Sequence, residues 1–251
     1  MATEATPLCR TNRARDLSCP ERFLAVLQLS DSAFPSGRYT LSHGLETFAQ
    51  SGHLTVPADA SALAALLSDS LRFGFAPSDG VALACAHRAL GSDGDLDLDL
   101  VTEIDLRLTA IKLPREVRAA SLRTGRAVLA TSASMSGPAL HAYAARVRDG
   151  SSPGNHAVVV GLLSAEAGVP CLEAVVGELY AFSSGWVAAA VRLGLVDHRS
   201  AQTLLYRARP VIADAAAEAL QHDVAQISSC TPLLDVMSMR HEQAELRLFA
   251  S

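Results

Sequence analysis

Lysine is nearly missing: of the 21 basic residues in this 251-residue chain, only Lys112 is not an arginine. A phosphate-binding loop needs a lysine directly after its glycines, so nucleotide hydrolysis by such a loop is excluded. Schiff-base catalysis would rest on Lys112 alone, which stands just before Pro114 with no partner signalled. Aromatic residues are also scarce, at 5%. Cysteine is sparse and scattered: Cys9, Cys19, Cys85, Cys171 and Cys230 are odd in number and too far apart for a metal knuckle or a redox pair. They read as free thiols of a reducing cytoplasm, with the last three expected as small buried side chains. No excess of positive charge exists either, the net being -5, which gives neither a nucleic-acid duplex nor an anionic membrane a reason to bind.

Long apolar runs are lacking too. Residues 1–20 carry arginines without an apolar stretch behind them, so they read as a flexible N-terminal extension and not as a signal peptide. The run 156–163 is too short to cross a bilayer, and the longer one after Pro170 is interrupted by Glu173, Glu178 and Arg192. No membrane segment is expected. Nor does a linker rich in Pro, Gly or Ser divide the chain, the strongest break, 149–155, being of ordinary loop length.

What is present is alanine, leucine and helical spacing. Apolar residues recur at steps of three and four, and Pro20, Pro114, Pro138, Pro170 and Pro232 each head such a stretch, where a missing N–H costs little. Thr231 is a natural N-cap before Pro232. The expectation is an all-α, single compact domain of about ten helices over residues 21–251, including 42–50, 97–111, 156–167 and 200–222. A short helical pair at 233–239 and 241–248 closes it. Residues 95–100 alternate acid and leucine with the period of a strand, but Ile104, Leu108 and Ile111 return to helical spacing. Val158 to Val160 are β-branched, yet no second strand is available to pair with them, so a buried helix is expected there too.

Catalytic and metal-binding constellations find little support. A hydrolase nucleophile elbow needs Gly-x-Ser-x-Gly after a strand, and no such element is expected. His241-Glu242 opens like the helix of a zinc protease, but Glu245 stands where the second histidine belongs. The other histidines are scattered singly, with no two at the spacing of metal ligands on a helix. No catalytic residue and no metal site is therefore assigned.

Three stretches are less generic. The first runs from Ser30 to Glu46 and holds Phe34, Pro35, Gly37, Arg38, Tyr39, Leu41, Ser42, His43 and Gly44, a helix–loop–helix corner. Ser42 can cap its second helix and Glu46 can face the positive helix end. The second is Arg115-Glu116-Val117-Arg118, continuing to Arg123 and Arg126, a row of cations near one helix face. It reads as an exposed stripe that contributes little to folding and can meet acidic side chains. The third is the chain end from Arg240 to Ser251, whose Leu246, Leu248 and Phe249 form an apolar load close to the last residue.

Together these stretches resemble the UreF family of urease accessory proteins. Leu27-Gln28-Leu29-Ser30-Asp31-Ser32-Ala33-Phe34-Pro35, then Gly37 and Ser42-His43-Gly44-Leu45-Glu46, look like the family's most distinctive signature. Arg115-Glu116 with Arg118, Ser121 and Gly125 is similar to its central helix, Gln202 with Leu204 and Leu205 to a later one, and Met239 to Ser251 to its Arg-Leu-Phe-x-Ser ending. Arg38 and Leu41 depart from the pattern, standing where many members carry a glycine and a histidine.

The resemblance implies an all-α, cytoplasmic homodimer with no catalysis and no tightly bound cofactor, nickel being handled by a complex. In that complex it bridges accessory protein D, called H in some organisms, and the GTPase accessory protein G, on the way to apo-urease. The partner-binding residues so implied are Phe34, Pro35, Gly37, Tyr39, Ser42, Gly44, Glu46, Arg115, Glu116, Arg118, Gln202, Arg240, His241, Glu242, Arg247, Leu248 and Phe249. Three other readings stay open. One is a GTPase-activating or fidelity factor supplying an arginine from 115–126 or Arg247; the others are a self-sufficient nickel chaperone and an unrelated helical regulator. Residues 240–251 are expected to be a partner-binding tail whose removal leaves a folded protein.

Overall fold

Helix starts follow the prolines. The computed structural model describes residues 20–250, and its helices are α1 (Pro20–Ser30), α2 (Leu45–Gln50), α3 (Ala60–Asp69), α4 (Val81–Arg88), α5 (Leu98–Ile111), α6 (Arg115–Ser132), α7 (Pro138–Asp149), α8 (His156–Glu166), α9 (Cys171–Arg192), α10 (His198–Ala219) and α11 (Pro232–His241). Pro20, Pro138 and Pro232 are the first residues of α1, α7 and α11, and Pro114 and Pro170 stand at the N-caps of α6 and α9. The fold is all-α, as expected. The N-terminal extension lies outside the described residues except for Pro20.

Among the described residues the only strand-like pairing is a single antiparallel bridge between Leu90 and Leu96. It accounts for the period of two at 95–100: Leu96 closes the bridge, and Asp97 then caps α5 by accepting from the Leu100 N–H at 2.9 Å. The β-branched run at 158–160 is helical and buried, because α8 is apolar on every side and packs among α4, α6 and α9. By length and composition α9 could cross a membrane, but most of it is core, packed against α10, and its Glu178 is buried.

Pro77 shapes the middle of the chain. A π-helical stretch, Ser70–Gly80, joins α3 to α4 and contains this proline. With no N–H at Pro77, the Phe73 carbonyl lacks its α-helical donor and accepts instead from the Cys230 N–H at 2.8 Å. The Pro77 carbonyl accepts from the Ser228 N–H at 3.1 Å, so the loop before α11 is fastened to the wide turn.

A second fastening is Asp105 on α5, which is fully buried. Its carboxylate accepts from Tyr143 Oη, Ser152 Oγ and the N–H groups of Gly154 and Asn155, at 2.6 to 2.9 Å. Burial beside that carboxylate pushes the Tyr143 hydroxyl well above its ordinary range. One expectation is corrected here: a Gly-x-Ser-x-Gly spacing does occur, at Gly150 to Gly154, but it lies in a loop between two helices with Ser152 committed to Asp105. Against this loop α6 approaches closely at Gly125, where a Cβ would sit 2.1 Å from the Gly154 carbonyl oxygen.

Three expectations are corrected. The helix expected at 42–50 begins only at Leu45, because His43 and Gly44 take left-handed backbone (φ 52° and 81°), so Gly44 and not Ser42 stands at the N-cap position, and Ser42 is buried. The second of the closing pair, 241–248, is not a helix: α11 ends at His241 and the chain turns away in extended and bent segments. Of the three described cysteines, only Cys85 is buried; Cys171 is half-buried and Cys230 exposed.

Candidate partner-binding site

The three stretches meet in space. Glu46, in the first turn of α2, is fully buried and its carboxylate gathers the chain end. Leu248 N–H donates to Oε1 at 2.8 Å and Phe249 N–H to Oε2 at 3.1 Å. His241 Nε2 lies 3.0 Å from Oε2, while its Nδ1 lies 2.6 Å from Glu116 Oε2 at the start of α6. Both ring nitrogens thus face carboxylates, one from α2 and one from α6. Arg247 Nη1 donates to the other Glu116 oxygen at 2.6 Å. Glu242 completes the circuit by accepting the Glu116 N–H at 3.0 Å and pairing with Arg115 at 3.3 Å.

The chain end is a strap, not a loose tail. Its Ala250 N–H donates to the Thr40 carbonyl at 2.8 Å. Phe249 is buried, and the Arg192 guanidinium lies between its ring and that of Tyr39, at 4.4 and 4.1 Å from the centroids. Leu246 and Leu248 point the other way, 83% and 78% exposed. The loose packing expected of residues 240–251 is not what the structure shows: His241 and Phe249 are buried, and Leu246 and Leu248 are the exposed apolar side chains of this end.

The arginine row divides likewise. Arg118 is half-buried and donates to the Lys112 and Leu113 carbonyls at the C-terminal end of α5, so it is not part of an idle stripe. Arg115 is exposed with its partner Glu242, and Arg123 and Arg126 are exposed.

Beneath this surface lies a cavity of about 150 Å³ walled by the π-helical stretch, α6, α9 and α11. Two ion pairs line it: Lys112 Nζ with Asp79 at 2.6 Å, and Arg38 with Glu178 at 2.8 Å. His156 stands 3.4 Å from the other Glu178 oxygen, at ion-pair distance without the alignment of a hydrogen bond. Burial alone would raise the Glu178 carboxyl, but Arg38 and His156 outweigh it and bring it down to about 2. His43 faces the same space, and burial lowers it to about 4, with Asp79 opposing and Lys112 and Arg38 adding to the shift. Burial also raises the Asp235 carboxyl. Among the described residues no three His, Cys, Asp or Glu side chains come together as a metal site.

A profile of the UreF family matches residues 58–209. The urease accessory protein UreF of Trichodesmium erythraeum is 33% identical over 230 residues, covering 91% of this chain and 96% of the relative. That of Mesorhizobium japonicum is 32% identical over 231 residues, and that of Nostoc sp. 29% over 229, with similar coverage. The chain belongs to the UreF family. It is thereby a urease accessory protein by family, which is the coarse function the sequence resemblance implied.

The UreF signature residues fall into two groups. Pro35, Gly37, Tyr39, Arg115, Gln202, Arg240, Arg247 and Leu248 are exposed, and Glu116, Arg118 and Glu242 are partly so. Phe34, Ser42, Gly44, Glu46, His241 and Phe249 are buried and shape the surface from beneath. Gln202 stands on α10, and no hydrogen bond joins it to the Glu46–His241 cluster. Sequence reasoning passed over the cavity charges. Their signal was there, in Glu178 set within an apolar helix and in the single lysine, but the partners lie 33 to 140 residues away.

Proposed function

We propose that this chain is a non-enzymatic adapter in the nickel-dependent maturation of apo-urease, bridging accessory protein D (or H) and the GTPase accessory protein G. The observation that carries this reading is the strap. Glu46, Glu116 and Arg192 hold the chain end so that Leu246 and Leu248 project as a fixed apolar pair. A docking group already held in place loses less entropy on binding than a frayed terminus would. Accessory protein D takes this surface, and the resulting pair recruits the GTPase. Nickel is cargo of the assembly, and no tightly bound cofactor is needed. Binding one conformation of the GTPase better than the other shifts its equilibrium without any catalytic residue. In the homodimer, the exposed Phe23, Leu24 and Leu27 on α1 supply an apolar contact.

A GTPase-directed arginine is the second reading, and the structure narrows it. Arg115, Arg118 and Arg247 are engaged within the chain, whereas Arg123 and Arg126 project from α6. Co-purification of L246D/L248D with accessory proteins D and G tests the first reading directly. Loss of both partners with unchanged folding supports it, and retention of both overturns it. A large fall in GTP turnover by the assembled GTPase on Arg123→Ala or Arg126→Ala would move the assignment to the second.

A further inference from the structure

α6 and α7 follow one another in the chain without closing on each other. Both rest on α8, but they diverge with little direct contact, leaving an open groove of about 650 Å³. Its floor is Leu129, Leu140 and Val147, and alanines at 133 and 144 form low walls over which another backbone can approach closely. The lining stretches, near 126–133 and 140–148, are each about two helical turns, or roughly 12 Å, long. That is the size and chemistry of a seat for a short amphipathic helix.

Charge says which kind. The groove is rimmed by Arg126 and Arg148, both exposed, and no acidic residue lines it. Among the described residues neither arginine is within ion-pair distance of a carboxylate, and Asp149, beside Arg148, is bonded to Ser151 first, with Arg146 and Arg148 as weaker electrostatic neighbours. His141 on the same wall is turned to the Ala133 carbonyl and Ser136. Two exposed cations beside an apolar lining complement a helix with a leucine or alanine face flanked by Asp or Glu.

We infer that the α6–α7 groove is a second docking site, for an acidic amphipathic helix of another protein in the maturation assembly. The inference rests on the adapter reading only for the choice of partners, and it uses a different face from the strap. Arginine modification by phenylglyoxal, read residue by residue by mass spectrometry, tests it on the full chain, alone and assembled with accessory proteins D and G and apo-urease. Arg126 and Arg148 should react about fivefold more slowly in the assembly, while Arg123, exposed on the same helix outside the groove, changes less than about twofold. R126E/R148E should weaken that component's binding about tenfold with its melting temperature kept, and the milder R126Q/R148Q should show a smaller loss in the same direction. Unchanged reactivity in every assembly overturns the inference. So does protection that already develops with concentration in the isolated chain, which would give the groove to a second copy. The two claims fail separately: the strap is read by co-purification of L246D/L248D, whereas the groove is read by arginine protection in the assembly of the unaltered chain and by R126E/R148E.

Discussion

Glu46 and His241, 195 positions apart, meet at 3.0 Å with neither side chain exposed. Through this contact α2 holds α11, and Glu116 on the other side of the imidazole adds α6 to the same clasp.

Glu46→Ala is expected to lower stability by about 3 kcal/mol or more, because it strands the buried His241 ring and the N–H groups of Leu248 and Phe249. Thermal unfolding measures it. A loss below 1 kcal/mol would mean that the strap is held by Phe249 packing alone.

L246D/L248D removes only exposed apolar surface, so the melting temperature should stay within what about 0.5 kcal/mol allows. Deleting residues 240–251 should instead unfold or strongly destabilise the protein. If the deletion melts like the intact chain, the interior role of His241 and Phe249 is wrong.

Gly125→Ala places a methyl carbon 2.1 Å from the Gly154 carbonyl oxygen, backbone against backbone, with no flexible side chain to yield. A loss of about 2 to 3 kcal/mol is expected from the displaced α6. Chemical denaturation of this single variant suffices to check it.

Arg118→Glu and Arg123→Glu separate the members of the row. The first replaces a donor to the Lys112 and Leu113 carbonyls with a charge that repels them, for about 1 to 2 kcal/mol. The second changes an exposed side chain and should cost under about 0.5 kcal/mol.

Stability should fall on acidification in two steps. His43 is lowered from 6.5 to about 4 in the fold, so the unfolded chain takes its proton first. Up to about 3 kcal/mol is then lost between pH 6.5 and 4. Glu178, lowered from 4.5 to about 2, adds a second loss between pH 4.5 and 2. His43→Gln should shrink the upper step, to which His87, also lowered by burial, contributes the rest, and leave the lower one, as followed by denaturation midpoints across that range.

Fold class was legible because helix periodicity and proline punctuation are local signals, and Pro20, Pro138 and Pro232 act within one turn of where they stand. The family was legible in three short stretches. Their common purpose was not, because a clasp between Glu46, Glu116 and His241 is a fact of tertiary packing that no spacing encodes. Leu246 and Phe249 look alike in sequence as apolar residues near an end. Only the two amides held by Glu46 decide that one ring turns inward while the leucines turn out. Glu178 was visible as a charge in an apolar run, but its partner Arg38 sits 140 residues earlier, in the connection between α1 and α2.

The ion pair between Lys112 and Asp79 has a consequence for chemistry done on the protein. It holds the only side-chain amine in the sequence, and holds it buried. Acylating reagents, amine-coupled surfaces and enzymes that attach groups through isopeptide bonds find no lysine on the outside of these helices. The rate at which Lys112 becomes acylated is therefore a clock, timing how often the cavity walls part far enough to let a reagent in.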